Sequence, residues 1–275
     1  MKFQLGCQLD YGVGSTSTFI FNIRAIENEY QQIIEQNFQI KPNCQWEEYV
    51  VPHVDNSYFR LVAPEGRLAI FYQAMVELKH HTEQPGEISE ISPQDIPLDI
   101  IPYLYPSRYC QSDRLMKLAQ DEFGHCQPGY TRVQAICDWI YDKIDYISGS
   151  SDSQTSAYDT ATERVGVCRD FAHLGITFCR ALDIPARFVS AYAWQLQPPD
   201  FHACFEAYLG NKWYLFDATR LAPIEGLVRI GTGRDAADVA FATIFGEAQL
   251  ENMQVYINSL DERSVAMQQQ AIASN

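Results

Sequence analysis

The sequence predicts an α+β protein, with an antiparallel β-sandwich at the N-terminus and a mixed helix-and-strand domain after it. Three observations predict this. Residues 16–26 and 44–53 are short stretches rich in aromatic and β-branched residues, with no helical period between them. After Pro106 the apolar spacing changes to three and four, as at Val133, Ile136, Ile140 and Ile144. After residue 186 short apolar runs return around Gly210-Asn211, a two-residue hairpin signal.

In chain order, residues 57–63 and 67–79 flank Pro64-Glu65-Gly66, and this turn signal predicts a hairpin between them. Proline recurs from Pro93 to Pro106, which places a domain boundary there: 1–100 for the sandwich, 101–275 for the second domain. Helices are expected over 113–123 and 130–146. Residues 147–162 are polar and small, and suit a mobile or site-forming loop.

Composition narrows the function. A net charge of −15 over 275 residues repels phosphate backbones, so nucleic acid is not an expected partner. No apolar run approaches the roughly 20 residues that span a bilayer, so no membrane contact is expected. Met1–Asp10 lacks the apolar centre of a signal peptide, and the eight cysteines show no tight spacing. They read as reduced thiols of a cytoplasmic protein.

The chemistry lies after Gly166. Phe171, Leu174, Gly175, Phe178 and Leu182 form one helical stripe, which Asp183-Ile184-Pro185 ends. Cys168 falls at the start of that helix, where unpaired N–H groups and the helix dipole favour a thiolate and can hold an oxyanion. The strands 202–209 and 212–219 pair across Gly210-Asn211 so that Leu209 opposes Lys212 and Cys204 opposes Asp217. His202 is then the diagonal neighbour of Asp217, and a slip of one residue would separate them. Cys168 as nucleophile, His202 as base and Asp217 as the group orienting that base form one acyl-transfer mechanism.

Several other residues have plainer readings. Cys137 and Cys179 fit core packing. His173 lies about 140° around the helix from Cys168 and points away. Asp170 complements the helix dipole. Cys110, His125, Cys126 and Cys137 match no compact zinc spacing, Gly231-Thr232-Gly233 reads as a turn, and no acidic run resembles a calcium loop. No cofactor or metal is expected.

The run G-V-C-R-D-F-A-H-L (166–174) followed by A-L-D-I-P-A-R-F-V-S (181–190) resembles the transglutaminase-like superfamily. The His202 strand and F-D-A-T (216–219) match its next two motifs, and segments 106–113 and 231–241 resemble its bacterial branch. The resemblance implies a papain-like α+β core over about residues 100–245, preceded by the N-terminal β domain common in bacterial members. It implies attack on a peptide or small amide through a thioester, ending in hydrolysis or transamidation. Two positions depart from the family pattern: Cys204 stands where tryptophan is usual, and Ala218 where the third motif has proline. Both bear on the shape of the substrate site. The rival expectations are an acyl-CoA-dependent N-acyltransferase and a non-catalytic binding module that keeps the fold.

Overall fold

The computed structural model describes residues 1–261 and 270–274. Its N-terminal part supplies β1 (Lys2–Val13), β2 (Ser17–Phe21), β3 (Gln31–Lys41), β4 (Trp46–Val50), β5 (Ser57–Ala63), β6 (Gly66–Leu78) and β7 (His81–Glu83). The middle carries α1 (Ser112–Phe123), α2 (Tyr130–Lys143), β8 (Asp145–Tyr146), α3 (Ala157–Glu163), β9 (Val165–Gly166) and α4 (Cys168–Ala181). Then come β10 (Ala186–Ala193), β11 (Phe201–Leu209), β12 (Lys212–Phe216), β13 (Leu227–Gly233), β14 (Ala242–Phe245), β15 (Ala248–Ser259) and β16 (Ala271–Ala273).

The sandwich follows from alternation. Phe3, Leu5, Cys7, Leu9, Tyr11 and Val13 of β1 are all buried, as a strand with one inward face requires. They meet Phe19, Phe21 and Phe59 from the facing sheet, with ring centroids 5.2 Å apart for Tyr11–Phe19. The two antiparallel sheets run in the order β15-β1-β6-β3 and β14-β2-β5-β4.

The second assembly is an antiparallel sheet ordered β13-β10-β11-β12-β16-β7. α4 lies against β10 and β11, and α1, α2 and α3 surround it. Every residue of α4 from Asp170 to Ala181 is buried, in line with the apolar stripe and the small residues that widen it.

Three features differ from the sequence expectation. β5 and β6 are no hairpin: they lie in different sheets. Phe59, Leu61 and Ala63 on one and Leu68 and Ile70 on the other fill the same core, so the turn arches from one face of the sandwich to the other. The second half of the polar segment 147–162 is helical, with Ser156 and Asp159 as its capping pair (Ser156 N–H to Asp159 Oδ2, 2.9 Å). The sheets also do not part at residue 100. β14 and β15 complete the sandwich by pairing with β2 and β1, while β7 closes the edge of the second sheet. Tyr192, Val228 and Ile230 belong to the sandwich core, and the Tyr192 hydroxyl donates to the Ile23 carbonyl at 2.8 Å, so the two parts share buried surface.

One contact sets the height of α4 over β11. A Cβ at Gly175 would fall 2.5 Å from the Phe205 ring, which is itself fully buried and has no room to retreat. Gly175→Ala gains about 1 kcal/mol of helix propensity but costs about 1–3 kcal/mol of overpacking. We expect a lower melting temperature for Gly175→Ala, measured by calorimetry, and recovery when Phe205→Leu is added. An unchanged melting temperature would show that the helix and strand can separate freely.

Candidate active site

The approach to Cys168 is held on both sides. β8 and β9 form a short parallel pair, with Tyr146 opposite Gly166, and the Ile147 N–H donates to the Gly166 carbonyl at 3.0 Å. Asp170 then accepts from the Val167 N–H at 2.9 Å, capping the helix one residue before the cysteine. Gly166 is required at this point, because a Cβ there would meet the Asp170 Cβ at 2.8 Å. Arg169 pairs with Asp170 at 3.1 Å and donates to the Asp152 carbonyl at 2.6 Å, tying the helix start to the polar loop. Cys168 is left half-buried at the first position of α4.

The hairpin has the counted register. Gly210 and Asn211 both take positive φ, Leu209 faces Lys212, Tyr208 faces Trp213, and the last ladder pair is Phe205 with Phe216. Asp217 lies one residue beyond the ladder and reaches back to His202, with 2.8 Å between its Oδ2 and the His202 Nε2. Its other oxygen accepts from the Thr219 N–H at 2.8 Å and the Thr219 hydroxyl at 2.7 Å, which is what the threonine of the F-D-A-T run provides. His202 is buried, and its Nδ1 has no hydrogen-bond partner.

Burial alone would lower the His202 pKa. The contacts with Asp217 and Cys168 outweigh it and raise the ring to about 10. The ring is therefore biased toward its charged form, with Nε2 facing the carboxylate. A Cys-His-Asp constellation of this kind can perform nucleophilic acyl transfer.

Two residues that the sequence reading passed over stand here. The Tyr146 phenol is pushed up to about 12, first by burial and then by Cys168, while its ring sits 5.7 Å from Phe171. Asp200, just ahead of β11, is pushed up by burial and lies within electrostatic reach of His202. Tyr146 ends a helical run and has no sequence signal of its own, while Asp200 falls in the Pro-containing loop 195–201, which the sequence offers with 147–162 as a candidate for flanking a substrate cleft. Cys110, Cys137, Cys179 and Cys204 are buried, and burial pushes each thiol up, Cys110 to about 12. His173 packs between Tyr109 and Phe188 at 4.9 and 5.1 Å and accepts the Ala236 N–H at 3.1 Å, away from Cys168.

The same architecture occurs in a solved structure from Cytophaga hutchinsonii, described as a candidate cysteine protease. It is 48% identical and covers 99% of this chain and 97% of its own, with a TM-score of 0.96. Residues 116–218 match the family model of the transglutaminase-like superfamily, and residues 1–96 that of the bacterial transglutaminase N-terminal domain. The chain belongs to the transglutaminase-like superfamily. An uncharacterized protein of Mycobacterium leprae is 36% identical over 120 residues, 39% of this chain and 42% of its own. One of Mycobacterium bovis is 26% identical over 210 residues, 67% of this chain and 66% of its own. The transglutaminase-like core thus coincides with the helices and strands that carry Cys168, His202 and Asp217, and the bacterial N-terminal domain with β1 to β7.

The raised pKa of His202 makes a signed prediction. A folded value above the unfolded one means that the charged ring stabilises the fold fully below about pH 6.5. That contribution is lost as pH rises through about 10. In an Asp217→Ala variant, burial remains without the carboxylate. Its His202 should titrate far below the wild-type ring by NMR, and the alkaline loss of stability should shrink. Equal titration midpoints in the two proteins would show that the carboxylate does not hold the ring charged.

Proposed function

We propose that this protein is a cysteine-dependent enzyme that cleaves amide bonds through a thioester, with Cys168 as nucleophile, His202 as acid and base, and Asp217 orienting the ring. The observation that carries this reading is the 2.8 Å contact from Asp217 to Nε2, which leaves a buried and unpartnered Nδ1 on a ring whose charge Cys168 helps to sustain. An imidazolium beside a sulfur at a helix start favours the thiolate.

In the first half-reaction the Cys168 sulfur forms a bond to the carbonyl carbon, and the backbone N–H groups at the start of α4 receive the oxyanion. The C–N bond breaks as His202 gives its proton to the leaving amine. In the second half-reaction neutral His202 takes a proton from water, the hydroxide adds to the thioester, and the C–S bond breaks to restore thiolate and imidazolium. The Cytophaga hutchinsonii protein, described as a candidate cysteine protease, supports hydrolysis as the outcome. The substrate is a peptide or a small amide. Among the described residues no helix is long and apolar enough to cross a membrane. The eight free cysteines support a reducing compartment such as the cytoplasm.

Alkylation by iodoacetamide, followed at each cysteine by peptide mass spectrometry across the pH range, tests the nucleophile. Cys168 should react fastest at and below neutral pH and lose that advantage in His202→Ala. Amide turnover should fall by about a thousandfold or more in Cys168→Ala. If Cys168 reacts no faster than Cys44 or Cys126, which are also partly exposed, the site is not an activated thiol.

A further inference from the structure

The loop after β12 carries Asp217, and its hydrogen bonds run on beyond that residue. Oδ2 of Asp217 faces His202, while Oδ1 accepts the N–H and the hydroxyl of Thr219. The Thr219 oxygen in turn accepts the Leu221 N–H at 3.2 Å. Arg220 stands between these two residues with φ at +56°, a left-handed backbone that glycine adopts freely and arginine does not. Cavities of about 550 and 360 Å³ flank the loop, and Arg220 and Ile224 line both, so packing alone does not fix its course.

The Arg220 side chain supplies that restraint. It crosses to α2, donates to Asp138 Oδ1 at 2.5 Å and lays its guanidinium 4.2 Å from the centre of the Tyr141 ring. Gln134, one turn earlier on α2, donates to the same Asp138 oxygen at 2.9 Å and steadies that carboxylate. An exposed ion pair contributes little to stability by itself. A planar cation held by a carboxylate at its edge and a ring on its face is fixed in direction as well as distance. A connected path therefore runs from α2 through Arg220, Thr219 and Asp217 to the His202 ring.

We propose that Arg220 is a positioning residue: anchored on Asp138 and Tyr141, it holds the loop so that the Asp217 carboxylate faces His202. A glycine at this position would remove the backbone strain and the anchor together. The consequence for catalysis rests on the roles proposed above for Cys168 and His202.

Arg220→Gly separates positioning from stability. Its melting temperature should change little, because relief of the left-handed backbone offsets the lost surface contacts. The His202 titration midpoint, read by NMR, should fall by about one unit, and alkylation of Cys168 by iodoacetamide at neutral pH should slow about five- to tenfold. Arg220→Lys should recover part of both effects. Asp138→Asn should shift both in the same direction and add little to Arg220→Gly. Salt at about 0.5 M should move wild type further than Arg220→Gly. Asp138 lies on the open surface of α2, so its variant carries the same readouts should Arg220→Gly fail to fold.

If the midpoint and the alkylation profile of the variants match wild type, Arg220 positions nothing. A lower melting temperature with an unchanged midpoint overturns the proposal equally, because the contact is then structural only. If Cys168 is inert in the wild type while the midpoint still falls in Arg220→Gly, the positioning stands and the proposed chemistry falls.

Discussion

The site depends on the seating of α4 in a closed environment. The helix is buried from Asp170 to Ala181, and the Gly175–Phe205 contact presses it directly on the strand that carries His202. A helix so enclosed cannot slide along the sheet without opening a cavity, so its first residue is placed by packing of the whole length. Along it runs a polar line at helical spacing: Asp170, His173, Thr177 and Arg180, all buried. Asp170 caps the start, His173 receives the Ala236 N–H, and Arg180 donates to the carbonyls of Tyr105, Ala186 and Arg234. These bonds draw segments 105–110 and 234–236 together, and the Tyr109 N–H to Asp235 Oδ2 bond at 2.9 Å closes the ring. Buried polar groups are costly unless paired, so the bonds made by Asp170, His173 and Arg180 make one helix position far better than its neighbours.

Two buried acid-base clusters share β11, and they differ in what they can do. Glu206 is fully buried, and Arg187 and Arg229 hold its carboxyl below the usual range although burial opposes them. Ser274 adds its hydroxyl and its carbonyl to the same cluster, tying the last described residues to β11 and β13. Its permanently charged partners leave no proton to move near neutrality. Four residues earlier, His202 faces Asp217 with one ring nitrogen and keeps the other unpaired. An imidazole with one committed and one open nitrogen can pass a proton in a direction that the carboxylate sets. The first cluster is an anchor, and the second is equipped for chemistry.

What was legible in the sequence was local. Gly210-Asn211 dictated the hairpin register, and from that register the meeting of His202 and Asp217 could be counted. The helix from Cys168 to Ala181 was bounded by its stripe and by Asp183-Ile184-Pro185. What escaped needed partners far away in the chain. β15 pairs with β1 across more than two hundred residues, and nothing local in residues 248–259 says which sheet they complete. The Pro64-Glu65-Gly66 turn was visible, but whether it joins neighbours in one sheet or crosses between two depends on where the facing apolar residues lie. β1 is legible in the same local way, because Phe3, Leu5, Cys7, Leu9, Tyr11 and Val13 alternate cleanly.

The polar loop is tied down by its own side chains and by its neighbours. Its small residues predicted a mobile or site-forming segment; Tyr109 donates to the Ser153 carbonyl at 2.9 Å, Arg108 donates to Gln154 at 3.0 Å, and Arg169 holds the Asp152 carbonyl. Asp152 in turn accepts the N–H groups of Gln154 and Thr155. One of these clamps is the residue directly after Cys168, so displacing the loop would also strain the first turn of α4. The polar loop and the first turn of α4 are thus one mechanical unit. A force on the loop is therefore transmitted to the position of the Cys168 sulfur through Arg169.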